Sequence, residues 1–222
     1  MTDKQKFFWF ATLLLLIALG YGLWREKGSR QPSAAEDPFV GITIPADLDD
    51  ATRARLQTDI DDKKKMYAEK PDIWETWIAI GGLKYSLNDY DGAIEAYKKS
   101  LAITPNNILG LRNIAEVYRL GIKDYKQAAS YYRLAIKNNF SDPDLYIQLA
   151  QISQYQLKDN SAAEKTIMEG MVKLGNDRSL LGALINFYES TGNRPKYEET
   201  VRRLRAAFPD VEQYQEAWID VK

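Results

Sequence analysis

The stretch WETWIAIGGLKYSLNDYDGAIEAYKKSLAITPNN, residues 74–107, predicts two amphipathic helices joined by a tight turn. Pro105 ends the second helix, because proline lacks an N–H group and has a fixed φ. The same layout returns in residues 108–142, 143–177 and 178–211. These blocks are 34, 35, 35 and 34 residues long, and we expect the extra residue of the middle two to lengthen the turn between the helices. A period of this length predicts a repeat protein.

Equivalent positions of the blocks take side chains of similar size. In the first helix a large residue is followed three positions later by an aliphatic one and then by a small one, as in Trp77, Ile80 and Gly81. In the second helix a small residue is followed four positions later by a larger one, as in Ala93 with Tyr97, Ala128 with Tyr132 and Ala163 with Ile167. Large side chains that fill the space above small ones are what stacked helical hairpins need.

The pattern Trp77, Ile80, Gly81, Ala93, Tyr97 and Pro105 resembles the signature of the tetratricopeptide repeat (TPR), and the resemblance extends over residues 74–211. It implies an all-α fold, a right-handed α-solenoid of four hairpins with the bounds 74–107, 108–142, 143–177 and 178–211. The fourth block departs most from the family pattern, with Ile185, Tyr197 and Leu204 where small residues are expected. No catalysis is expected of such a scaffold.

The ends of a solenoid need polar caps, because a terminal hairpin has a neighbour on one side alone. We expect a front capping helix over 47–70, capped by Asp47 and ended by Pro71. A rear capping helix is expected over 212–222, where Tyr214 and Trp218 stand four residues apart.

Composition restricts the chemistry. The chain has no Cys and no His, which removes thiolate nucleophiles, most structural zinc ligands and the usual proton shuttle. Its 30 basic and 31 acidic residues nearly balance, so nucleic acid is not an expected partner. We expect no enzyme, no cofactor and no metal; an enzyme would have to use carboxylates such as Glu116 or Glu189.

The amino-terminal part predicts a membrane anchor. After a tail at 1–6, residues 7–24 form an uncharged run of 18 residues, about 27 Å of helix, with aromatic residues at both ends. A cleaved signal peptide and a buried core helix are the alternatives; the run is long for a signal peptide and is followed by Arg25 rather than by a cleavage site. Residues 25–46 predict a linker with an extended piece at 39–44. We expect a single pass with the main domain outside the cytoplasm, although Lys and Arg are nearly balanced across the run.

The resemblance implies a concave groove lined by the first helices, which holds a peptide or a protein partner. Helical spacing gives these groove candidates: Arg112, Asn113, Glu116, Arg119, Asp144, Gln148, Gln151, Tyr155, Asn186 and Glu189. Amide and guanidinium donors suit peptide backbone and carboxylate groups. An ordinary solvated strip is the alternative at each of these residues. Some family members bind the carboxyl-terminal tail of a chaperone with a set of Lys, Arg and Asn side chains. In this sequence Asn113 is the one residue of that set at its expected position.

Two roles therefore remain open. One is a membrane-tethered scaffold that binds its partner in the groove, with the segment 39–45 as a candidate internal ligand. The other is a self-associating subunit of a cell-envelope assembly, a homo-oligomer that leaves the groove empty.

Overall fold

The computed structural model describes residues 37–209. The chain divides into two units, Met1–Gly41 and Ile42–Lys222. The anchor expected over 7–24 and the rear cap expected over 212–222 lie outside the described residues, as does the linker before residue 37. Within 37–209, no helix has both the length and the apolar character needed to cross a membrane.

The described part of the first unit is a turn over residues 38–41, not the extended piece predicted to begin at Phe39. The Asp37 carboxylate accepts a hydrogen bond from the Phe39 N–H at 2.9 Å, and Gly41 has a φ of +79°. An aspartate that bonds to the backbone two residues later and a glycine with positive φ are both turn-forming features. The local hydrogen bond therefore replaces the extended conformation there.

The described residues of the second unit form an all-α solenoid of hairpins, in which each helix packs against the helices before and after it. Helix α1 (Asp50–Glu69) precedes four hairpins. These are α2 (Trp74–Ser86) with α3 (Tyr90–Ile103), α4 (Ile108–Glu116) with α5 (Tyr125–Asn138), α6 (Pro143–Gln151) with α7 (Asn160–Leu174), and α8 (Arg178–Ser190) with α9 (Arg194–Ala207). We call the pairs hairpins 1 to 4. Helices α6 and α8 also contact each other directly.

Acidic and amide side chains set the starts of these helices. Eight of the nine have an Asp or Asn whose side chain accepts a backbone N–H of the first turn: Asp49, Asp89, Asn107, Asp124, Asp142, Asp159, Asp177 and Asn193. Such caps satisfy donors that would otherwise lack an intrahelical partner.

The front helix begins later than the sequence predicted. Asp49, not Asp47, caps α1, because its carboxylate accepts the backbone N–H of Thr52 at 2.8 Å and the Thr52 hydroxyl at 2.6 Å. The helix therefore spans Asp50–Glu69 rather than 47–70.

The size pattern of the repeat is confirmed in the core. The small and large residues of the second helices, with the aliphatic residues of the first, are buried: Ile80, Ala93, Tyr97, Ile114, Ala128, Tyr132, Leu149, Ala163, Ile167 and Leu184. The larger residues of the fourth hairpin, Ile185, Tyr197 and Leu204, are buried as well. The fourth block therefore stacks like the others despite its departure from the family pattern.

The extra residue of hairpins 2 and 3 lies inside the first helix, not in the turn as predicted. Helix α4 continues as a π-helical segment, Val117–Ile122, and α6 continues as a second one, Ile152–Gln156. The turn between the two helices keeps the same conformation in all four hairpins. The residue before the cap of the second helix has a positive φ in each: Asn88, Lys123, Lys158 and Gly192. A π-helical turn holds one more residue than an α-helical turn, so it absorbs the insertion.

Candidate functional site

A groove opens between the first helices of hairpins 3 and 4. Its walls are α6, with the π-helical segment that continues it, and α8, and its volume is about 420 Å³. We call it the inner groove. Its polar lining consists of Gln151, Gln154, Tyr155, Arg178, Ser179 and Asn186. The size falls within the usual range for ligand sites, roughly 300 to 1,000 Å³.

Small side chains make the space. Ala150 on α6 and Gly182 and Ala183 on α8 line the inner groove, and none of the three has a side chain that extends beyond a β-carbon. Ile167 and Phe187, both buried, contribute apolar surface to the same lining. The groove therefore combines an apolar base with a polar rim, as sites for small ligands and peptides commonly do.

The charge of the inner groove is positive. Among the described residues that line it, Arg178 is the charged one, and the remaining polar groups are amides and hydroxyls. Arg178 is in the first turn of α8, where the Asp177 side chain accepts the N–H groups of Ser179 and Leu180. Because the cap occupies those two donors, the guanidinium is the part of this turn best suited to a carboxylate.

A hydrogen bond ties the two walls together. The Gln154 side-chain amide donates to the Ser190 hydroxyl at 2.8 Å, from the π-helical segment of hairpin 3 to the end of α8. This contact joins residues 36 positions apart and helps to fix the width of the groove.

A second contact fixes α8 against the neighbouring second helices. Tyr188 on α8 donates a hydrogen bond to Glu164 on α7 at 2.8 Å, and Lys196 on α9 donates to the same carboxylate oxygen at 2.5 Å. The hydrogen bond from Lys196 lowers the pKa of Glu164, against the opposing effect of burial. Burial, followed by the hydrogen bond to Glu164, raises the pKa of Tyr188. We call these three residues the Glu164 brace.

Three of the predicted candidates meet in the inner groove. Gln151 and Tyr155 approach it from hairpin 3 and Asn186 from hairpin 4. The other seven are not part of its lining: Arg112, Asn113, Glu116, Arg119, Asp144, Gln148 and Glu189. Asp144 is exposed at the start of α6, whereas Arg112, Asn113, Gln148 and Glu189 are half-buried.

Glu116 and Arg119 already have partners within hairpin 2. The Arg119 guanidinium donates to Glu116 Oε2 at 2.6 and 3.1 Å, and the buried Tyr132 hydroxyl donates to Glu116 Oε1. Burial, with the hydrogen bond to Glu116, raises the pKa of Tyr132. This carboxylate therefore satisfies a buried hydroxyl, which is costly to leave without a partner.

Comparison of the sequence with protein-family models identifies a repeat in the first half of the solenoid. A family described as "TPR repeat" matches residues 81–120. No curated protein sequence is significantly similar to this chain.

Solved structures share the fold over 66% to 76% of this chain. MamA superposes with a TM-score of 0.56 at 16% identity, over 76% of this chain and 91% of that one. The solenoid has the tetratricopeptide-repeat fold. The pilF protein of Pseudomonas aeruginosa gives a TM-score of 0.52 at 18% identity, over 74% of each chain. YrrB, described as "a TPR protein with an unusual peptide-binding site", gives 0.50 at 17% identity, over 66% of this chain and 75% of that one.

Sequence reasoning missed three polar residues of this tetratricopeptide-repeat groove: Gln154, Arg178 and Ser179. A helical spacing could have found them. Arg178, Gly182 and Asn186 are four residues apart and therefore share one face of α8. Gln154 follows the predicted Gln151 by three residues.

Proposed function

We propose that the protein is a scaffold that binds an extended peptide segment of a protein partner in the inner groove, without catalysis. The observation that carries the proposal is the set of amide and guanidinium side chains that α6, its π-helical continuation and α8 direct to one open space. Amides can both donate to and accept from a peptide backbone, and Arg178 can pair with a carboxylate.

The shape of the groove favours a peptide over a compact small molecule. The groove lies along two neighbouring helices, and small side chains at Ala150, Gly182 and Ala183 leave room for a backbone to approach. YrrB, a solenoid of the same fold, has a peptide-binding site by its description. This supports the proposed ligand class for the present chain.

We propose further that residues 7–24 tether the scaffold to a membrane by a single pass, with the solenoid on the extracytoplasmic side. The support for the tether, as distinct from its orientation, is the uncharged run of 18 residues with aromatic ends. Tethering would confine the groove to the membrane surface, where a weak contact becomes effective through a raised local concentration.

Site-specific photo-crosslinking in intact membranes tests groove binding. A photoreactive residue at Asn186, exposed in the inner groove, is compared with one at Lys99, exposed on the second helix of hairpin 1. We expect a discrete adduct with another protein from Asn186 alone, and a loss of that adduct in Arg178→Glu. The side of the membrane follows from the identity of the adduct.

Two outcomes contradict the proposal. Equal adducts from Asn186 and Lys99 would mean contact without a specific groove. Adducts of the chain with itself would favour the alternative role, a self-associating subunit of an envelope assembly.

A further inference from the structure

A second groove opens between the second helices of hairpins 2 and 3, and its lining shares no residue with that of the inner groove. It lies between α5 and α7, has a volume of about 460 Å³, and we call it the outer groove. Its apolar lining is Ile136, Phe140, Tyr146, Met168 and Val172. The proposed peptide site involves none of these residues.

Three of the five apolar residues that line the outer groove are exposed. Val172 is 81% exposed, the highest value for a large hydrophobic residue between residues 37 and 209. Phe140 is 54% exposed and Met168 is 41% exposed. Because Met168 and Val172 are four residues apart on α7, they form one continuous surface with Phe140. Clustered exposed apolar residues mark interaction sites more often than single ones do.

Phe140 is held in position. Its backbone carbonyl accepts a hydrogen bond from the Tyr146 hydroxyl at 3.1 Å. On either side of Phe140, the Ser141 N–H donates to the Asn139 side chain at 3.2 Å. The Lys173 ammonium lies 5.9 Å from the centre of the Phe140 ring, in the range of a cation–π contact. Local hydrogen bonds therefore hold the backbone that carries Phe140 at the edge of the groove.

The rim of the outer groove is positively charged. Three lysines line it, Lys137, Lys165 and Lys173, against one carboxylate, Glu169. Glu169 is 4.0 Å from Lys165, and the lysines outnumber the carboxylate, so the lining has a net positive charge. The chain as a whole has a net charge of −1, so the positive charge is a local feature.

We propose that the outer groove binds an acidic amphipathic segment of a partner protein. A large apolar side chain of that segment enters between Met168 and Phe140, and its carboxylates lie beside Lys137, Lys165 and Lys173. The positive rim selects for acidic residues, and the recess accepts a projecting side chain. An anionic bilayer would match the charge but offers no projecting side chain to fill a recess.

A binding assay with a defined probe tests the proposal. The probe is a short fluorescein-labelled peptide with Leu and Phe on one helical face and Glu elsewhere, and its counterpart has Lys in place of Glu. Fluorescence anisotropy is measured with the full chain in phosphatidylcholine nanodiscs. We expect the Glu peptide to bind and the Lys peptide not to bind.

Matched variants locate the site. Val172→Glu should weaken binding at least roughly tenfold, because it places a like charge where the apolar side chain enters. Leu134→Glu, an exposed residue of α5 outside the groove, should not. The double variant Lys165→Glu with Lys173→Glu should lose the Glu peptide and gain the Lys peptide. Val172 and these lysines are exposed, so circular dichroism should show every variant folded.

Three results would overturn the proposal. The first is no binding of the Glu peptide. The second is binding that Arg178→Glu abolishes and Val172→Glu does not, which would place the peptide in the inner groove. The third is binding of the chain to phosphatidylserine-containing vesicles that Val172→Glu abolishes while the peptide fails to bind, which would make the outer groove a lipid contact.

Discussion

At the scale of single residues, the packing of hairpin 1 depends on one missing side chain. A β-carbon on Gly81 would lie 2.4 Å from the Tyr97 ring. Tyr97 is 4% exposed, so its ring has no free space to move into. We predict that Gly81→Ala lowers the free energy of unfolding by about 1 to 3 kcal/mol, the usual cost of overpacking a core. Urea titration followed by far-UV circular dichroism measures the change.

The neighbouring glycine is the matched control. The nearest atom to a β-carbon on Gly82 is the Tyr97 hydroxyl oxygen, at 4.0 Å, so the added methyl group fits. Because alanine favours an α-helix over glycine by up to about 1 kcal/mol, Gly82→Ala should leave stability unchanged or raise it. Equal destabilisation by the two substitutions would contradict the steric account and point to a backbone requirement shared by both glycines.

Sequence spacing identified Gly81 as a small position and Tyr97 as a large position of the repeat, and the structure packs the Tyr97 ring against Gly81. Spacing was not sufficient for Glu116. Helical spacing placed that carboxylate in a groove, whereas the Tyr132 hydroxyl of the paired helix holds it within hairpin 2. Tyr132 is 16 residues from Glu116, on the next helix. Where its hydroxyl lies depends on how the two helices pack, and the spacing of residues within one helix cannot predict that.

At the scale of helices and hairpins, the Glu164 brace couples hairpin 3 to hairpin 4. The hydrogen bond from Lys196 lowers the pKa of Glu164 below its ordinary value of 4.5. The folded state therefore favours the ionised form, so the stabilisation is present above about pH 4.5 and is lost as the pH falls through the folded pKa. We predict that Glu164→Gln costs about 1 kcal/mol near pH 7, since Lys196 is half exposed and solvent screens the pair.

Urea titrations of the wild type and of Glu164→Gln between pH 7 and pH 3 measure this effect. The difference between the two should shrink toward zero at the acidic end. Glu169→Gln on the same helix removes an exposed carboxylate 4.0 Å from Lys165 and should change stability by about 0.3 kcal/mol or less at any pH. A difference for Glu164→Gln that is independent of pH would mean that the carboxylate charge contributes nothing to the brace.

The insertion in hairpins 2 and 3 marks the limit of prediction for whole elements. The block lengths in the sequence identified one extra residue in each of these hairpins. A longer loop between the helices and a π-helical turn within the first helix would both give a block of that length. The structure has π-helical segments at Val117–Ile122 and Ile152–Gln156, and the second of these supplies Gln154 and Tyr155 to the inner groove. The insertion therefore changes which side chains face the groove, and block length alone could not indicate that.

At the scale of the whole solenoid, the buried core is unevenly distributed. Among the described residues, the helices of hairpin 4 contain nine buried hydrophobic residues, from Leu180 to Leu204, whereas those of hairpin 1 contain six, from Ile80 to Tyr97. Helix α1 contributes one buried residue, Ile60. In a stacked array each hairpin gains its stability from its neighbours, so local stability should follow this distribution.

We predict that α1 exchanges its amide hydrogens fastest among the described helices and that α7 and α8 exchange slowest, because α1 can open without exposing a large apolar surface. Hydrogen–deuterium exchange of the full chain, followed by mass spectrometry, measures the order. Ile60→Ala should speed exchange in α1 and leave α8 unchanged. Leu184→Ala, which opens a cavity costing about 2 to 5 kcal/mol, should speed exchange across hairpins 3 and 4. If either substitution instead speeds exchange equally in all helices, the solenoid unfolds as one cooperative unit, and the uneven core does not set its local stability.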